Sequence, residues 1–456
     1  MSTKRTNELV SKDKQYIWHP FTQMKDYEKD DNIIIERGEG CYLIDSDGNR
    51  YIDGVSSLWT NLFGHRRKEL DDAIRAQLDK IAHSTLLGLA NEPSTLLAER
   101  LSEITPDGLN RVFFSDNGST AVEVALKMAF LYWVHKGEKT KTKYISLENA
   151  YHGDTIGAVS VGGIPLFHSL FKPLLNDVFY GPSPYCYRCG FDMEPYGCGM
   201  HCADVLEEIA KNHHHEVAAL IIEPIVQGAG GILTAPVGYL TRVREICTKY
   251  NILMIADEVA VGFGRTGHMF GCDNEDVTPD VMALAKGLSG GYMPIAATLT
   301  TDEVYSAFLG EYGEYKTLFH GHTFTGNQLG ASVANATLDI FKNDEVIKNL
   351  QPKIEYLTKL LEPFADHLHV GEVRQRGFIA AIELVKNRPT KEGFPPEELI
   401  GAKVCSHARK LGLIIRPLGN VIVIMPPYII TKDELKTMLD AIRDSIDSVI
   451  DQPSQD

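Results

Sequence analysis

ILMIADEVAVGFGRTGHMFGCDNEDVTPDVMALAKGLSGG, from Ile252 to Gly291, is the stretch on which the reading of this chain turns. An apolar run, Ile252-Leu253-Met254-Ile255-Ala256, ends in Asp257-Glu258, and a second, Val281-Met282-Ala283-Leu284-Ala285, ends in Lys286-Gly287. Each predicts a buried strand with an ionisable residue at its carboxyl end. A lysine that closes an apolar strand is desolvated on one side, which disfavours the ammonium form and leaves an amine able to attack a carbonyl. A carboxylate on a neighbouring strand can hold a positive heterocyclic nitrogen.

An amine for a covalent bond and an anion for a ring nitrogen are the two groups that pyridoxal phosphate requires. Other readings of the same letters compete. Ile252–Glu258 resembles a strand ending in a magnesium-binding aspartate, but the chain holds no G-x-x-x-x-G-K-[ST] loop. Gly262-Phe263-Gly264-Arg265-Thr266-Gly267 matches G-x-G-x-x-G, yet that fingerprint must open a helix, and the residues from His268 to Asn274 read as loop. Taken alone, Lys286 reads as an ordinary lysine at a strand end; its company argues otherwise.

With 456 residues the chain is long enough for two domains. A net charge of −16 argues against nucleic acid or an anionic membrane as the main partner. The start, Met1-Ser2-Thr3-Lys4-Arg5, lacks a signal-peptide apolar region and no membrane-length apolar run follows, so a cytoplasmic location is expected. Cys186, Cys189, Cys198 and Cys202 crowd one segment. They read as a surface excursion with free thiols and no metal rather than as a zinc knuckle, because the second pair is spaced C-x-x-x-C and tight turns flank both halves.

Short strands are predicted at Ile33–Ile35, Cys41–Ile44 and Arg50–Ile52, the last two joined by the turn Asp45–Asn49. Trp59 suits a pocket wall or the core equally. Strand Arg111–Phe114, turn Ser115–Thr120 and a helix with Val122, Ala125, Leu126, Ala129 and Trp133 on one face make an anion site, with Gly118 and Ser119 as candidate contacts. A plain helix cap at Ser119 or Thr120 reads as well. Further strands fall at Lys143–Leu147, Val217–Ile222 and Pro294–Thr301, with others near Phe378–Leu384 and Val421–Met425. Tyr151 at a strand end could stack on an aromatic ring. This alternation predicts an α/β protein, with a mostly parallel sheet that takes ligands at its carboxyl ends and a smaller α+β domain built from both termini.

Asp116-Asn117-Gly118-Ser119, Tyr151-His152-Gly153-Asp154-Thr155, Ile222–Gly228, Ala256-Asp257-Glu258-Val259, Gly262–Gly267, Lys286-Gly287 and Arg416-Pro417 together resemble the class III pyridoxal-phosphate aminotransferases, over nearly the whole chain. The resemblance implies fold type I, with a large domain whose seven-stranded sheet is sandwiched by helices. The expected boundaries are 1–70 and 336–456 for the small domain and 71–335 for the large one. It implies Lys286 as the lysine bonded to pyridoxal 5'-phosphate, Asp257 at the pyridine nitrogen, Tyr151 on the ring, and Gly118 and Ser119 at the phosphate. His322 and Thr323 would complete that phosphate site from a neighbouring subunit in a homodimer. Trp59, Leu58 and Gly321 fall on the substrate side, and Arg416 suits a substrate carboxylate.

Within the family the likeness is to the biotin-pathway branch that aminates 8-amino-7-oxononanoate. Ala229 stands where relatives acting on ornithine or γ-aminobutyrate carry a gating glutamate, which leaves Arg416 free for a long-chain carboxylate. Phe21, Leu58 and Val423 replace two tyrosines and a tryptophan of the adenosylmethionine-using enzymes, and Pro20–Lys25 resembles the lysine-using ones, so both donors stay open with a lean to lysine. Two other readings remain: a broad ω-aminotransferase of amines or β-alanine, and a zinc-organised binding protein built on Cys186–Cys202.

Overall fold

A computed structural model describes residues 3–195 and 197–450. Its centre is a seven-stranded sheet of β1 (Arg111–Ser115), β2 (Lys143–Leu147), β3 (Val178–Gly181), β4 (Val217–Ile222), β5 (Leu253–Asp257), β6 (Val281–Leu284) and β7 (Ala296–Thr300), in the order β1-β7-β6-β5-β4-β2-β3. Only β7 runs against its neighbours, β6 and β1; the other pairings are parallel. Every residue of β4, β5 and β6 is buried. Sheets covered on both faces read as unbroken apolar runs, which is why these strands were legible.

Helices cover both faces. Gly118–His135 lays Val122, Ala125, Leu126, Ala129 and Trp133 onto the sheet, and the Trp133 indole N–H donates to Ala218 O at 2.7 Å, which fixes its seat. Beside the large sheet, strands Ile35–Glu39, Tyr42–Asp45 and Arg50–Asp53 form a smaller one that Leu413–Ile414 joins in parallel, so the two ends of the chain share a sheet. The turn at Asp45–Asn49 closes as expected, with Asp45 N–H donating to Asn49 O at 3.0 Å.

Two expectations shift. The first strand begins at Ile35, since Ile33 and Ile34 lie outside it. The expected strand near Phe378 is one arm of a hairpin: Val370–Arg376 pairs antiparallel with Ile379–Leu384. The first arm reads VGEVRQR, and its charged residues hide the period-2 pattern because Arg374 and Glu372 bond to one another within the fold. The Gly262–Gly267 stretch opens no helix, and Arg265 within it is only 1% exposed, with Nη1 donating to Pro426 O at 2.8 Å.

Candidate active site

The carboxyl ends of β5 and β6 lie side by side, with Asp257 in register with Ala283. Asp257 and Lys286 thereby reach one cavity of about 660 Å³, whose lining also includes Trp59, Gly118, Ser119 and Tyr151. Parallel strands bring all their carboxyl ends to one edge, and the crevice outside that edge is where such sheets take ligands.

Lys286 is half-buried and makes no hydrogen bond or ion pair among the described residues; its Nζ stands 5.0 Å from the centre of the Trp59 ring. Burial pushes its amine below the ordinary lysine range, Asp257 and Glu223 pull it back, and the Arg265 charge adds to the depression. Asp257, 4% exposed, takes Val259 N–H at 3.1 Å on Oδ1 and lies 2.7 Å from His152 Nδ1 through Oδ2. The other nitrogen of His152, Nε2, is buried and meets no partner among the described residues. Glu223 also lines the cavity; it accepts Tyr151 N–H at 3.1 Å and Gly228 N–H at 2.7 Å. Burial pushes its carboxyl up to about 7, with His152 opposing and Asp257 adding to the rise.

At the mouth, helix Gly118–His135 begins with a capping box in which Asn117 Oδ1 accepts Thr120 N–H at 3.1 Å and Thr120 Oγ1 accepts Asn117 N–H at 3.0 Å. The cap consumes Thr120, so the N–H groups of Gly118 and Ser119 are left at the positive end of the helix for an anion. Gly118 also answers to close packing, since a Cβ there would fall 2.6 Å from Val259 Cγ1. Tyr151 forms the side wall, its hydroxyl donating to Asp154 Oδ2 at 2.7 Å.

Opposite stands a left-handed turn. Ser56, Ser57, Leu58 and Trp59 have φ of +50°, +55°, +97° and +69° in succession. L-residues resist this region by roughly 1–2 kcal/mol each, so four together imply strong support from their surroundings. The turn buries Trp59, 8% exposed, and leaves Leu58 outward, 48% exposed. Trp59 thus serves as core and as cavity wall.

Leu58, Gly321, His322, Thr323 and Arg416 do not line the cavity of the single chain. His322 is nevertheless near, with Nδ1 2.7 Å from Asp116 Oδ2, and Asp116 is a lining residue. Thr323 O faces His83 Nε2 at 2.9 Å. Arg416 is exposed, at the start of strand Arg416–Leu418. His152 and Glu223 escaped the sequence reading as functional groups. Their signal was membership of two of the quoted stretches, Tyr151–Thr155 and Ile222–Gly228, which gave neither a role. Cys186, Cys189, Cys198 and Cys202 are free thiols, and among the described residues no three or more His, Cys, Asp or Glu are grouped to hold a metal.

Residues 24–446 match the family described as aminotransferase class-III. A protein of Geobacter sulfurreducens named adenosylmethionine-8-amino-7-oxononanoate aminotransferase is 56% identical over 97% of this chain and 98% of its own. The crystal structure of the so-named enzyme from Methanocaldococcus jannaschii superposes with a TM-score of 0.93 at 50% identity, covering 97% of this chain and 99% of that one. An (S)-enantioselective omega-transaminase from Thermomicrobium roseum gives 0.94 at 34% identity, covering 98% and 100%.

Proposed function

The chain belongs to the class-III aminotransferase family, and from that premise we propose that it transfers an amino group to 8-amino-7-oxononanoate, giving 7,8-diaminononanoate, in biotin biosynthesis. The observation that carries the reading is a half-buried lysine amine, without a hydrogen-bond partner among the described residues, lining one cavity with a buried aspartate–histidine pair. Among relatives of known name, 56% identity over 97% of the chain supports this acceptor more strongly than the 34% to an omega-transaminase supports amines in general. The family also sets aside the zinc-organised binding protein.

Pyridoxal 5'-phosphate is the cofactor proposed, and the residues present fit it: a free amine, a buried anion, and a helix N-terminus with two spare N–H groups. When bound, it supplies an aldehyde and an electron-accepting ring. Lys286 Nζ would bond it covalently; once released, the same nitrogen takes the proton from the substrate carbon that bears the transferring amine and returns it later. Asp257 holds a negative charge where a pyridine nitrogen needs its proton, and His152 orients that carboxylate. Gly118 and Ser119 hold the phosphate, and Tyr151 and Trp59 form the walls.

His322 and Thr323 complete the phosphate site in a homodimer, each from the second copy, and Gly321 and Leu58 meet substrate in that assembly. Arg416 meets the substrate carboxylate there. We take the small domain as 1–70 and 336–456 and the large one as 71–335, supported by the strand pairing of Leu413–Ile414 with Ile52–Asp53 and by the placing of all seven central strands between Arg111 and Thr300. No helix among the described residues is long and apolar enough to cross a membrane, and a cytoplasmic enzyme is proposed.

The test is amino transfer by purified protein supplied with pyridoxal phosphate and 8-amino-7-oxononanoate, with adenosylmethionine or lysine as donor. Formation of 7,8-diaminononanoate with either supports the proposal, and the rates name the donor. Turnover of β-alanine or simple amines with pyruvate, and none with the oxononanoate, would install the omega-transaminase reading instead.

A further inference from the structure

The turn that carries Trp59 is held from behind by groups with no part in the proposed chemistry. Strand Arg50–Asp53 ends in Asp53, whose side chain is wholly buried. Its carboxylate accepts Ser57 N–H at 2.8 Å on Oδ1 and the Ser57 hydroxyl at 2.6 Å on Oδ2. His65 Nε2 stands 3.1 Å from that second oxygen, and Asn61 Nδ2 lies 3.1 Å from His65 Nδ1. Two donors of one residue thus converge on one buried anion, in the middle of the left-handed run. The start of the run is tied separately, by Ser56 Oγ donating to Met425 O at 2.7 Å.

Its far side is closed by backbone. Gly291, at φ +86°, passes so near that a Cβ would meet Asn61 N at 2.7 Å and the Thr60 carbonyl carbon at 2.8 Å. L-residues drift out of the left-handed region unless something holds them. Bonds to an ionised acceptor are the strong kind, and here they act on the centre of the turn.

We propose that Asp53 is a positioning residue: its carboxylate holds the Ser56–Trp59 turn left-handed, and so lays the Trp59 indole against the Lys286 amine and sets the width of the site. Only the catalytic consequence rests on reading Lys286 as the reacting amine. The geometric claim concerns Asp53, Ser57 and Trp59 alone.

The test reads Trp59 directly. Acrylamide quenching of the cofactor-free protein, differenced for each variant against the same variant carrying Trp59→Phe, isolates this indole among the three tryptophans. Asp53→Asn is expected to make it severalfold more quenchable. In the loaded enzyme the same change is expected to raise KM for the amino substrates about tenfold, with kcat moving less. Ser57→Ala, which keeps the backbone bond, is expected to give a smaller rise in quenching, and less in the Asp53→Asn background than alone. Unchanged quenching, or equal Ser57→Ala effects in both backgrounds, overturns the proposal. If Asp53→Asn does not fold, Ser57→Ala decides alone: a rise supports the clamp and no rise overturns it. The quenching result stands whether or not the unaltered protein aminates 8-amino-7-oxononanoate, so the two failures are distinguishable.

Discussion

The charges buried in the C-terminal hairpin and those at the carboxyl ends of β5 and β6 are arranged on opposite principles. In the C-terminal hairpin, Arg374 is 3% exposed and nearly every donor is spent: Nε on Ile232 O at 3.1 Å, Nη2 on Gly231 O at 2.7 Å, and Nη1 on Tyr185 OH, Glu372 and Glu383. Glu383 takes Arg188 Nε at 2.6 Å as well as the Tyr185 hydroxyl. Burial alone would raise the Glu383 carboxyl, but Arg374, with help from Tyr185 and Arg188, holds it below its ordinary value. At the carboxyl ends of β5 and β6 the opposite holds. Among the described residues Lys286 has no hydrogen-bond partner, His152 keeps one nitrogen unused, and Glu223 is bonded only to backbone N–H groups. There burial wins, so the lysine is displaced downward and the glutamate upward. A saturated cluster fixes its protons and joins elements together; an unsaturated one leaves protons free to move.

The largest expected effect separates them outright. Lys286→Ala should lower kcat by about 10⁴-fold or more, while the thermal midpoint stays the same or rises, because a half-buried amine without a hydrogen-bond partner has been removed; steady-state turnover and a melting curve read both. Arg374→Leu should do the reverse. Leaving Glu383 and Glu372 buried without their cation should cost about 3–5 kcal/mol in a urea titration, with turnover per folded molecule little changed. An Arg374→Leu protein that lost activity while keeping its urea midpoint would erase the distinction.

Asp257→Asn sharpens the contrast within the unsaturated cluster. It should reduce kcat by about 10²–10³-fold, with protein still able to bond cofactor through Lys286, seen as a retained absorption band. The mildest effect concerns Glu223. Its folded pKa of about 7 lies above the ordinary 4.5, so the native state binds more protons than the unfolded chain between those values. Stability is full below that window and falls as pH rises through about 7. Melting curves from about pH 4 to about pH 8, which bracket that window, should show that fall, and Glu223→Gln should flatten it. Glu258, buried and likewise pushed up to about 7, contributes in the same sense.

Much of the site was readable because it is written at strand ends. Asp257 and Lys286 each close an apolar run that reads as a covered strand, Gly118 and Ser119 follow the strand Arg111–Ser115, and the sheet delivers these ends to one cavity. Tyr151 was readable for the same reason. His152 and Glu223 were not, since each becomes informative only through what it lacks, a partner for Nε2 and a cation for the carboxylate. Arg374 was hidden differently: in VGEVRQR it reads as a solvated charge, and its partners Tyr185, Gly231 and Ile232 lie far off in the chain.

The sequence by itself determined the sheet, the helix that opens with Gly118 and the placing of an amine and an anion at one edge of the sheet, because strand patterning and strand-end chemistry are local properties of consecutive residues. Only the tertiary structure decided which buried charges are satisfied and that Ser56–Trp59 turns left-handed beneath Asp53. Burial, partnership and the field at an atom are sums over neighbours that the chain brings together from distant positions.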